Sequence, residues 1–171
     1  PGRYVGHLRA FTQRLLDLSE RSRCRRFHHI STISISGDAI PNLSKAVFKE
    51  TDYDRGQVIR NVYARSKFEA EKRVRDKMSH GMNATIFRVG QLVGESESGK
   101  FQQSIASNAF YGIIKAIIDM GVVPDITEGS VEMMPIDYCR QAIVKLMMIP
   151  ESNNHCLHVY NPNHINVKTF L

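Results

Sequence analysis

A tyrosine and a lysine four residues apart, Tyr63 and Lys67, are the residues whose types and spacing point most directly to chemistry. On a helix, positions i and i+4 lie on one face, a single turn apart. A lysine ammonium placed there can lower the pKa of a phenol, which is ordinarily about 10. A phenol of that kind, facing a second hydroxyl, can move a proton to or from a carbonyl oxygen, as carbonyl reduction requires.

Side chains with hydroxyls precede this pair, in a run over residues 27–37 that includes Ser31, Thr32 and Ser34. The run is short and rich in isoleucine, which is typical of a buried strand. Because successive side chains of a strand point to opposite faces, Ser31 and Thr32 cannot both face one site. The predicted strand therefore offers the second hydroxyl that a proton-transferring tyrosine needs.

The chain holds a second pair at the same spacing, Tyr111 and Lys115. Apolar residues recur around this pair with the period of a helix, and no hydroxyl-rich strand precedes it at a useful distance. We interpret the second pair as part of an ordinary amphipathic helix without a catalytic role.

Residues 94–101 come close to the phosphate-binding loop of nucleoside triphosphatases, because their glycine and lysine spacing follows a predicted strand. Phe101, however, stands where that loop needs a hydroxyl for magnesium. Glu95 and Glu97 would also place carboxylates against the phosphates. We interpret the segment as a surface loop whose glycines permit tight turns.

Helices and strands are predicted to alternate along the chain. The periodicity predicts helices over residues 4–22, 59–79, 103–120 and 137–148, and strands over 27–35, 84–89, 131–136 and 155–160. This alternation predicts an α/β fold with a doubly wound parallel sheet. Ligands of such sheets bind beyond the carboxyl ends of the strands, where Thr32, Ser34 and residues 88–92 are expected. The start of the helix that carries Tyr63 is expected at the same edge.

The helix over 59–79 should bury Val74 and turn its charged side chains, including Glu71, mostly outward. Asp137 is suited to be the N-cap of the helix that follows it. Residues 37–58 form a long polar loop, and loops of that length in a compact domain tend to be functional.

The composition is that of one domain, with 171 residues of which 42% are apolar. No apolar run approaches the ~20 residues of a membrane-spanning helix, and the first residues do not resemble a signal peptide. We therefore expect no membrane partner. The three cysteines are scattered without metal-ligand spacing, which favours free thiols in a reducing cytoplasm and no metal site.

The net charge of +6 favours an anionic partner, and four arginines within residues 21–26 contribute to it. These arginines suit a solvated helix C-terminus, where cations interact favourably with the helix dipole. They also suit a docking patch for a phosphorylated or acidic partner. No helix-turn-helix, zinc finger or aromatic-basic pattern accompanies them, so a nucleic-acid partner is not expected.

Several motifs occur in an order that resembles the extended short-chain dehydrogenase/reductases across nearly the whole chain. They are Ile30–Gly37, Asn61–Glu71, Phe87–Gly94 and Met134–Tyr138. Within that superfamily the chain is most similar to the thioester reductase domains that end non-ribosomal peptide synthetases. The reductase domains of carboxylic acid reductases and aminoadipate reductase are close relatives. The segments Lys100–Gln102, Asn108–Tyr111 and Gly121–Pro124 favour thioester reductases over sugar epimerases.

The resemblance implies roles for individual residues. It implies that Tyr63 donates or relays the proton to the carbonyl oxygen and also contacts the cofactor. It implies that Lys67 holds the nicotinamide ribose and lowers the pKa of Tyr63. It implies that the Thr32 hydroxyl binds the substrate oxygen, which leaves Ser31 and Ser34 as hydroxyls that the backbone satisfies. The segment expected beside the nicotinamide consists of Arg88, Val89, Gly90, Gln91 and Leu92.

The resemblance also implies an activity, the NADPH-dependent reduction of an acyl or peptidyl thioester to an aldehyde. The substrate would be held on the phosphopantetheine arm of a carrier protein, and further reduction to an alcohol stays open. Two alternatives stay open as well. One is a non-catalytic fragment or interaction module, and the other is an epimerase or dehydratase of the same superfamily that acts on nucleotide sugars.

Members of this family begin with a strand and a glycine-rich turn that holds the cofactor pyrophosphate. Residues 1–171 contain no such turn, and both ends look cut, so tight cofactor binding by this segment alone is not expected. We expect a partial reductase domain with a Rossmann-like sheet that lacks its first strands. Residues 1 to about 100 would be the remainder of the dinucleotide-binding core. Residues from about 101 to 171 would mix core with a small substrate-binding part.

Overall fold

The computed structural model describes residues 2–24, 26–38, 47–101, 108–125 and 129–170. Parts of the predicted loop over 37–58 and of the predicted helix over 103–120 lie outside these residues. The chain divides into two compact units, which are Pro1–Gly90 with Ala142–Val159, and Gln91–Gln141 with Tyr160–Leu171.

The helices and strands follow one another along the chain in a mixed order. They are α1 (Gly2–Arg21), β1 (Phe27–Thr32), α2 (Val62–Ser79), β2 (Ala84–Val89), β3 (Leu92–Val93), α3 (Ala109–Met120), β4 (Ser130–Val131), β5 (Met134–Pro135), α4 (Ile136–Met148), β6 (Cys156–Val159), β7 (Ile165–Asn166) and α5 (Val167–Phe170). None of the helices in the described ranges combines the length and the apolarity that crossing a membrane requires.

The first unit is built on a parallel sheet with the strand order β1-β2-β6. Thr32 lies opposite Val89, and Val89 lies opposite Val159, so the carboxyl ends of the three strands are level. All six residues of β2 are buried, as expected of a central strand covered on both faces. The predicted α/β class with a parallel sheet is confirmed.

Helices α1 and α2 contact the sheet through one apolar cluster. Leu16 of α1, Val74 of α2 and Ile86 of β2 are fully buried there. Phe27 and Met78 pack against the cluster from its border. Hydrophobic burial of this kind fixes α2 against the sheet, which matters because α2 carries Tyr63 and Lys67.

The second unit contains two short strand pairs. β3 pairs in parallel with β5, and β4 pairs in antiparallel with β7. Helix α3 begins after its N-cap Asn108, whose side chain accepts hydrogen bonds from two backbone N–H groups. It ends at Gly121, which adopts the left-handed conformation with φ 63° that favours glycine.

Two predicted boundaries near the site are wrong, and side chains explain both. β1 ends at Thr32 instead of residue 35, because the Thr32 hydroxyl oxygen accepts a hydrogen bond from the Ser34 N–H and starts a 3-10 turn over Ile33–Ser36. α2 begins at Val62 instead of residue 59, because the Asn61 side chain accepts from the N–H groups of the first turn.

The predicted strand over 131–136 is also wrong, since it divides into β4 and β5, which belong to different sheets. Asp137 lies inside the first turn of α4 instead of at its N-cap. Its carboxylate accepts hydrogen bonds from the backbone N–H of Ser96 at 3.0 Å and from the Ser96 hydroxyl at 2.7 Å. These bonds, with the side-chain bond first, hold the pKa of Asp137 below its ordinary value.

Candidate functional site

Tyr63 and Lys67 lie on the first two turns of α2, whose start is fixed by the Asn61 cap. The Asn61 Oδ1 accepts hydrogen bonds from Tyr63 N at 2.8 Å and Ala64 N at 3.2 Å, which satisfies two N–H groups that a helix start leaves open. Tyr63 is 48% exposed, whereas Ala64 beside it is buried. The cap therefore holds the phenol at the solvent-facing start of the helix.

Lys67 lies one helical turn after Tyr63 and reaches across to β1. Its Nζ donates a hydrogen bond to the backbone carbonyl of Ile30 at 3.0 Å. Burial of the ammonium lowers the pKa of Lys67 from its ordinary value. The lysine is therefore anchored to the strand that ends two residues later in Thr32.

Thr32 stands at the carboxyl end of β1 and is 6% exposed. Its hydroxyl oxygen accepts from Ser34 N at 3.2 Å, and its O–H is 3.3 Å from the Ser34 Oγ. Ser34 lies in the 3-10 turn and is exposed. The interpretation of Ser34 as a strand hydroxyl satisfied by the backbone is wrong. Ser34 lies after the end of β1, and its hydroxyl oxygen accepts a hydrogen bond from the Thr32 hydroxyl.

A cavity of about 280 Å³ opens in the first unit beside these residues. Ser34 and Tyr63 line it, together with Asn61 at the helix cap. Thr32 is therefore hydrogen-bonded to Ser34, which lines this cavity together with Tyr63. The remaining lining residues are Gly37, Asp38, Ile59, Arg60 and Ala64.

The segment after β2 is divided between the two units. Val89 lies beside Thr32 in the sheet register, and the Gly90 N–H donates to the Val159 carbonyl at 2.9 Å. These two residues therefore stand at the same sheet edge as Thr32. Gln91 and Leu92 belong to the second unit, where the Gln91 N–H donates to the Glu132 carboxylate.

The Arg88 side chain is fully buried within the first unit. Its Nη2 donates to the Glu71 carboxylate at 2.7 Å and to the Asp52 carbonyl at 2.6 Å. The guanidinium is thus bound by protein groups, and any contact of Arg88 with a cofactor would have to use its backbone. The expected position of Arg88 beside the nicotinamide stays a prediction.

Glu71 lies in the interior near the site and not on the solvent-facing side of α2. We predicted that it would face mostly outward, but it is fully buried and bonded to Arg88, Arg75 and Ser31. Ser31 is likewise corrected, because its hydroxyl donates to the Glu71 carboxylate at 2.7 Å and not to the backbone. A signal did exist, since an arginine inside the buried strand β2 demands a buried acceptor.

The two competing motifs have ordinary structural roles. Tyr111 Oη accepts a hydrogen bond from Gly94 N at 3.2 Å, and Lys115 forms an exposed ion pair with Asp119 at 2.6 Å. Residues 95–100 are exposed, and the loop closes on itself through the hydrogen bond from Glu95 N to Lys100 O at 2.8 Å. The interpretation of this segment as a tight surface loop is confirmed.

The chemistry of the donor groups suits the nicotinamide end of a dinucleotide. An ammonium and a phenol on successive helical turns, beside a level edge of parallel strands, can bind ribose hydroxyls and a reacting carbonyl. Within the described ranges, no group of histidine, cysteine, aspartate or glutamate side chains is arranged to hold a metal ion.

Comparison with known proteins identifies the relatives of this chain. Residues 10–143 match the sequence model of an NAD-binding family described as male sterility protein. A linear gramicidin synthase protein of Brevibacillus parabrevis is 31% identical over 152 residues, which is 89% of this chain and 3% of that protein. The large subunit of the L-2-aminoadipate reductase of Eremothecium gossypii is 25% identical over 162 residues, or 89% of this chain and 11% of that protein.

A solved structure agrees with these matches. The terminal R domain of the myxalamid PKS-NRPS biosynthetic pathway superposes with a TM-score of 0.82 at 30% identity, over 93% of this chain and 39% of that one. The Rossmann-like fold that we expected is thereby confirmed. The chain spans only a small part of the curated relatives that it matches, and well under half of this solved domain.

Proposed function

Because the chain belongs to the NAD-binding family described as male sterility protein, within the extended short-chain dehydrogenase/reductases, we propose that it is part of a thioester reductase. The substrate is an acyl or peptidyl thioester on the phosphopantetheine arm of a carrier protein, and the product is an aldehyde. NADPH is the proposed reductant. Relatives named as a gramicidin synthase, an aminoadipate reductase and a terminal R domain support this proposal.

One structural observation carries the proposal. Tyr63 and Lys67 occupy successive turns of α2, and Lys67 is bonded to the strand that ends in Thr32. The Thr32 hydroxyl meets Ser34, which shares a cavity with Tyr63. A carbonyl bound in this cavity would lie near the Tyr63 phenol and Ser34, and a small movement of its oxygen towards β1 would bring it to the Thr32 hydroxyl that is bonded to Ser34.

The residues of this chain would act on the oxygen of the thioester. When bound, a nicotinamide would supply the hydride to the thioester carbon, and negative charge would develop on that oxygen. The Tyr63 O–H donates its proton there, and the Thr32 hydroxyl donates a hydrogen bond that stabilises the charge. The C–S bond of the hemithioacetal then breaks while its hydroxyl proton passes to the departing sulfur, which gives the aldehyde and the carrier thiol; Tyr63 regains its proton from solvent.

Lys67 would bind the ribose hydroxyls of the cofactor with its ammonium and keep positive charge near Tyr63. Its partly buried position supports this role, because a charge interacts more strongly where water is scarce. Val89 and Gly90, at the level edge of the sheet, would bound the nicotinamide site through their backbone. A role of Gln91 and Leu92 in cofactor binding is a further part of the proposal.

A carrier protein as partner and the cytoplasm as compartment are further parts of the proposal. A thiolation-reductase di-domain of an archaeal non-ribosomal peptide synthetase, 31% identical with a TM-score of 0.74, supports a neighbouring carrier. That match covers 84% of this chain and 31% of the di-domain chain. Cys24, Cys139 and Cys156, the three cysteines of the chain, are all unpaired, which supports a reducing compartment.

The test is product analysis with the full-length protein. It is mixed with NADPH and an acyl group loaded on a phosphopantetheinylated carrier, and the aldehyde is trapped as an oxime and identified by mass spectrometry. The proposal predicts one aldehyde per NADPH oxidised. Release of the free acid without NADPH oxidation, or epimerisation of a nucleotide sugar by the same preparation, would contradict it.

A further inference from the structure

Glu71 has no part in the reaction described above, although it is buried directly beside the site. We propose that Glu71 is a positioning residue which, through Ser31 and Arg88, sets the register of helix α2 against strand β1. It would thereby place Tyr63 and Lys67 relative to Thr32. This inference rests on the proposed function only in naming the reaction that depends on this positioning.

The Glu71 carboxylate is fully occupied by partners from two strands and its own helix. Its Oε2 accepts from the Ser31 hydroxyl at 2.7 Å and from the Arg88 Nε at 3.3 Å. Its Oε1 accepts from the Arg88 Nη2 at 2.7 Å and from the Arg75 Nε at 2.9 Å. The carboxylate therefore links α2 to β1 and to β2 at one buried point.

Arg88 extends this link to a loop and to the third strand. Its guanidinium donates to the carbonyl oxygens of Lys49 at 3.3 Å and Asp52 at 2.6 Å. It also lies 3.3 Å from the His158 Nε2 on β6 and stacks over the Phe48 ring, 5.1 Å from its centroid. The bidentate geometry of a guanidinium with a carboxylate resists sliding, because both oxygens must stay in register.

The link lies next to the reacting groups in both elements that it joins. Glu71 is one turn after Lys67 on α2, and Ser31 directly precedes Thr32 on β1. Two consecutive bonds therefore connect the elements: Lys67 to the Ile30 carbonyl, and Glu71 to the Ser31 hydroxyl. Loss of the second bond should let α2 shift against β1, and misplacement by about 1 Å can cost on the order of 100-fold in rate.

A purely stabilising purpose explains this cluster poorly. Burial opposes the charged form of Glu71 and would raise its pKa, and the hydrogen bond and charge of Arg88 then bring the pKa below its ordinary value. Buried ion pairs of this kind often stabilise no better than well-packed apolar side chains of similar volume. The cluster instead fixes the position of α2 relative to β1 and β2. Apolar packing alone would allow α2 to shift more easily.

The test compares Ser31→Ala with Thr85→Val in the full-length protein. Both variants remove one buried hydroxyl of the same sheet, since Thr85 is 1% exposed and donates to the Ser152 carbonyl at 3.1 Å. Only Ser31 connects to α2. For Ser31→Ala we expect kcat for NADPH-dependent reduction to fall at least about tenfold and KM for NADPH to rise, because Lys67 moves with α2. For Thr85→Val we expect kcat within about twofold.

A second measurement reads the register without any substrate. The pKa of Lys67 is obtained from the pH dependence of its acetylation in competitive labelling with acetic anhydride, followed by peptide mass spectrometry. Because burial lowers this pKa, a shift of α2 that admits water should raise it in Ser31→Ala and leave it unchanged in Thr85→Val. Lys115, which is exposed on α3, serves as the internal reference.

The outcomes separate this inference from the proposed function. A raised Lys67 pKa in Ser31→Ala supports positioning, even if the unsubstituted protein fails to reduce thioesters and the proposed function is lost. An unchanged Lys67 pKa overturns positioning, whatever the enzyme does. Equal losses of kcat in the two variants, in proportion to their losses of thermal stability, would overturn it as well.

Discussion

The Nζ of Lys67 lies 3.0 Å from the carbonyl oxygen of Ile30, so the ammonium of helix α2 is bonded to the backbone of strand β1. Ile30 is two residues before Thr32, and Lys67 is one turn after Tyr63. This contact therefore fixes the distance between the two elements that carry the proposed reacting groups. The two side chains of α2 that this contact places, Tyr63 and Lys67, can each be tested by substitution.

Tyr63→Phe should lower kcat at least about 100-fold, because loss of a positioned general acid typically costs a factor of about 10² to 10⁴. Cofactor affinity should change little, since the ring remains and only the O–H is removed. NADPH oxidation, followed by absorbance, and a fluorescence titration of NADPH measure the two quantities. The matched control is Tyr111→Phe, whose hydroxyl accepts a bond from Gly94 N, and full activity is expected there.

Lys67→Met should abolish most of the activity without destabilising the fold. The hydrogen bond to Ile30 is lost, which costs about 1 kcal/mol, but the burial of an ammonium is relieved at the same time. Because burial lowers the Lys67 pKa, the unfolded chain holds this proton more tightly, so stability rises as pH increases through the lowered pKa towards 10.5. Lys67→Met should flatten that rise.

Hydrogen exchange of the amides of α2 and β1 measures this stability in the full-length protein. Lys115→Met, in the exposed ion pair with Asp119, is the control and should change neither activity nor exchange. A loss of more than about 2 kcal/mol in Lys67→Met would mean that the lysine acts mainly as a structural tie.

The sequence was sufficient for those parts of the fold that local signals determine. The apolar run of β2 and the helical period around Val74 placed a strand and a helix within a few residues of their observed bounds. The Tyr63 and Lys67 spacing put both residues on successive turns because a helix requires it. The Asn61 cap was a readable signal too, and using it would have moved the predicted start of α2 to the correct residue.

The buried polar contacts beside the site could not be predicted, because they join residues far apart in the chain. Glu71 looks like a solvated helix residue until Arg88, 17 residues later, is known to be buried against it. The Ser31 hydroxyl finds its acceptor 40 residues away. No periodicity encodes such pairs, and the end of β1 at Thr32 depended on a hydroxyl bonding to the backbone two residues on.

Acid should destabilise the first unit through His29. Burial, with a smaller effect of the nearby Lys67 charge, lowers the pKa of His29 to about 4, although the Glu71 charge acts in the opposite direction. Between pH 6.5 and about 4 the unfolded chain therefore binds a proton that the folded state does not. Stability should fall with decreasing pH in that window, by at most about 1.4 kcal/mol per pH unit.

His29→Gln should remove part of this fall, measured as hydrogen-exchange protection of β1 and β2 from neutral pH down to about pH 4. His155→Gln is the matched control, because His155 is exposed and its ring bonds locally, to the Asn153 carbonyl. Since burial also lowers the pKa values of His28 and His158, a residual slope is expected. An identical slope in all three proteins would contradict the assignment to His29.

Breaking the buried ion pair from one side should be costly. Arg88→Met leaves the Glu71 carboxylate buried without its bidentate partner and removes the donor of the Asp52 carbonyl. We therefore expect the free energy of unfolding to fall by about 3–5 kcal/mol. The double variant Arg88→Met with Glu71→Leu should recover at least half of that loss, because no uncompensated charge remains. Additive losses in this double-mutant cycle would show that the two side chains do not act as a pair.

Gly37 closes the 3-10 turn after Thr32 in a conformation that other residues rarely adopt, with φ +75°. A Cβ there would also lie 2.6 Å from the Val58 carbonyl oxygen, closer than real Cβ atoms approach backbone. Gly56 provides a matched control, because its φ is +73° while a Cβ would meet nothing within 4 Å. The two glycines thus share a positive φ that L residues rarely adopt, and only Gly37 adds a close steric contact.

We therefore expect Gly56→Ala to cost about 1 kcal/mol, the penalty of a left-handed residue with a Cβ, and to leave activity intact. Gly37→Ala should cost more than this, because either the turn or the Val58 backbone has to move. Gly37 and Ser34 both line the cavity beside Tyr63, so the displacement should also lower kcat. Urea unfolding monitored by hydrogen exchange, with NADPH oxidation in parallel, compares the two variants. Equal stability losses in both would mean that the contact with Val58 relaxes freely and that the turn does not hold Thr32 in place.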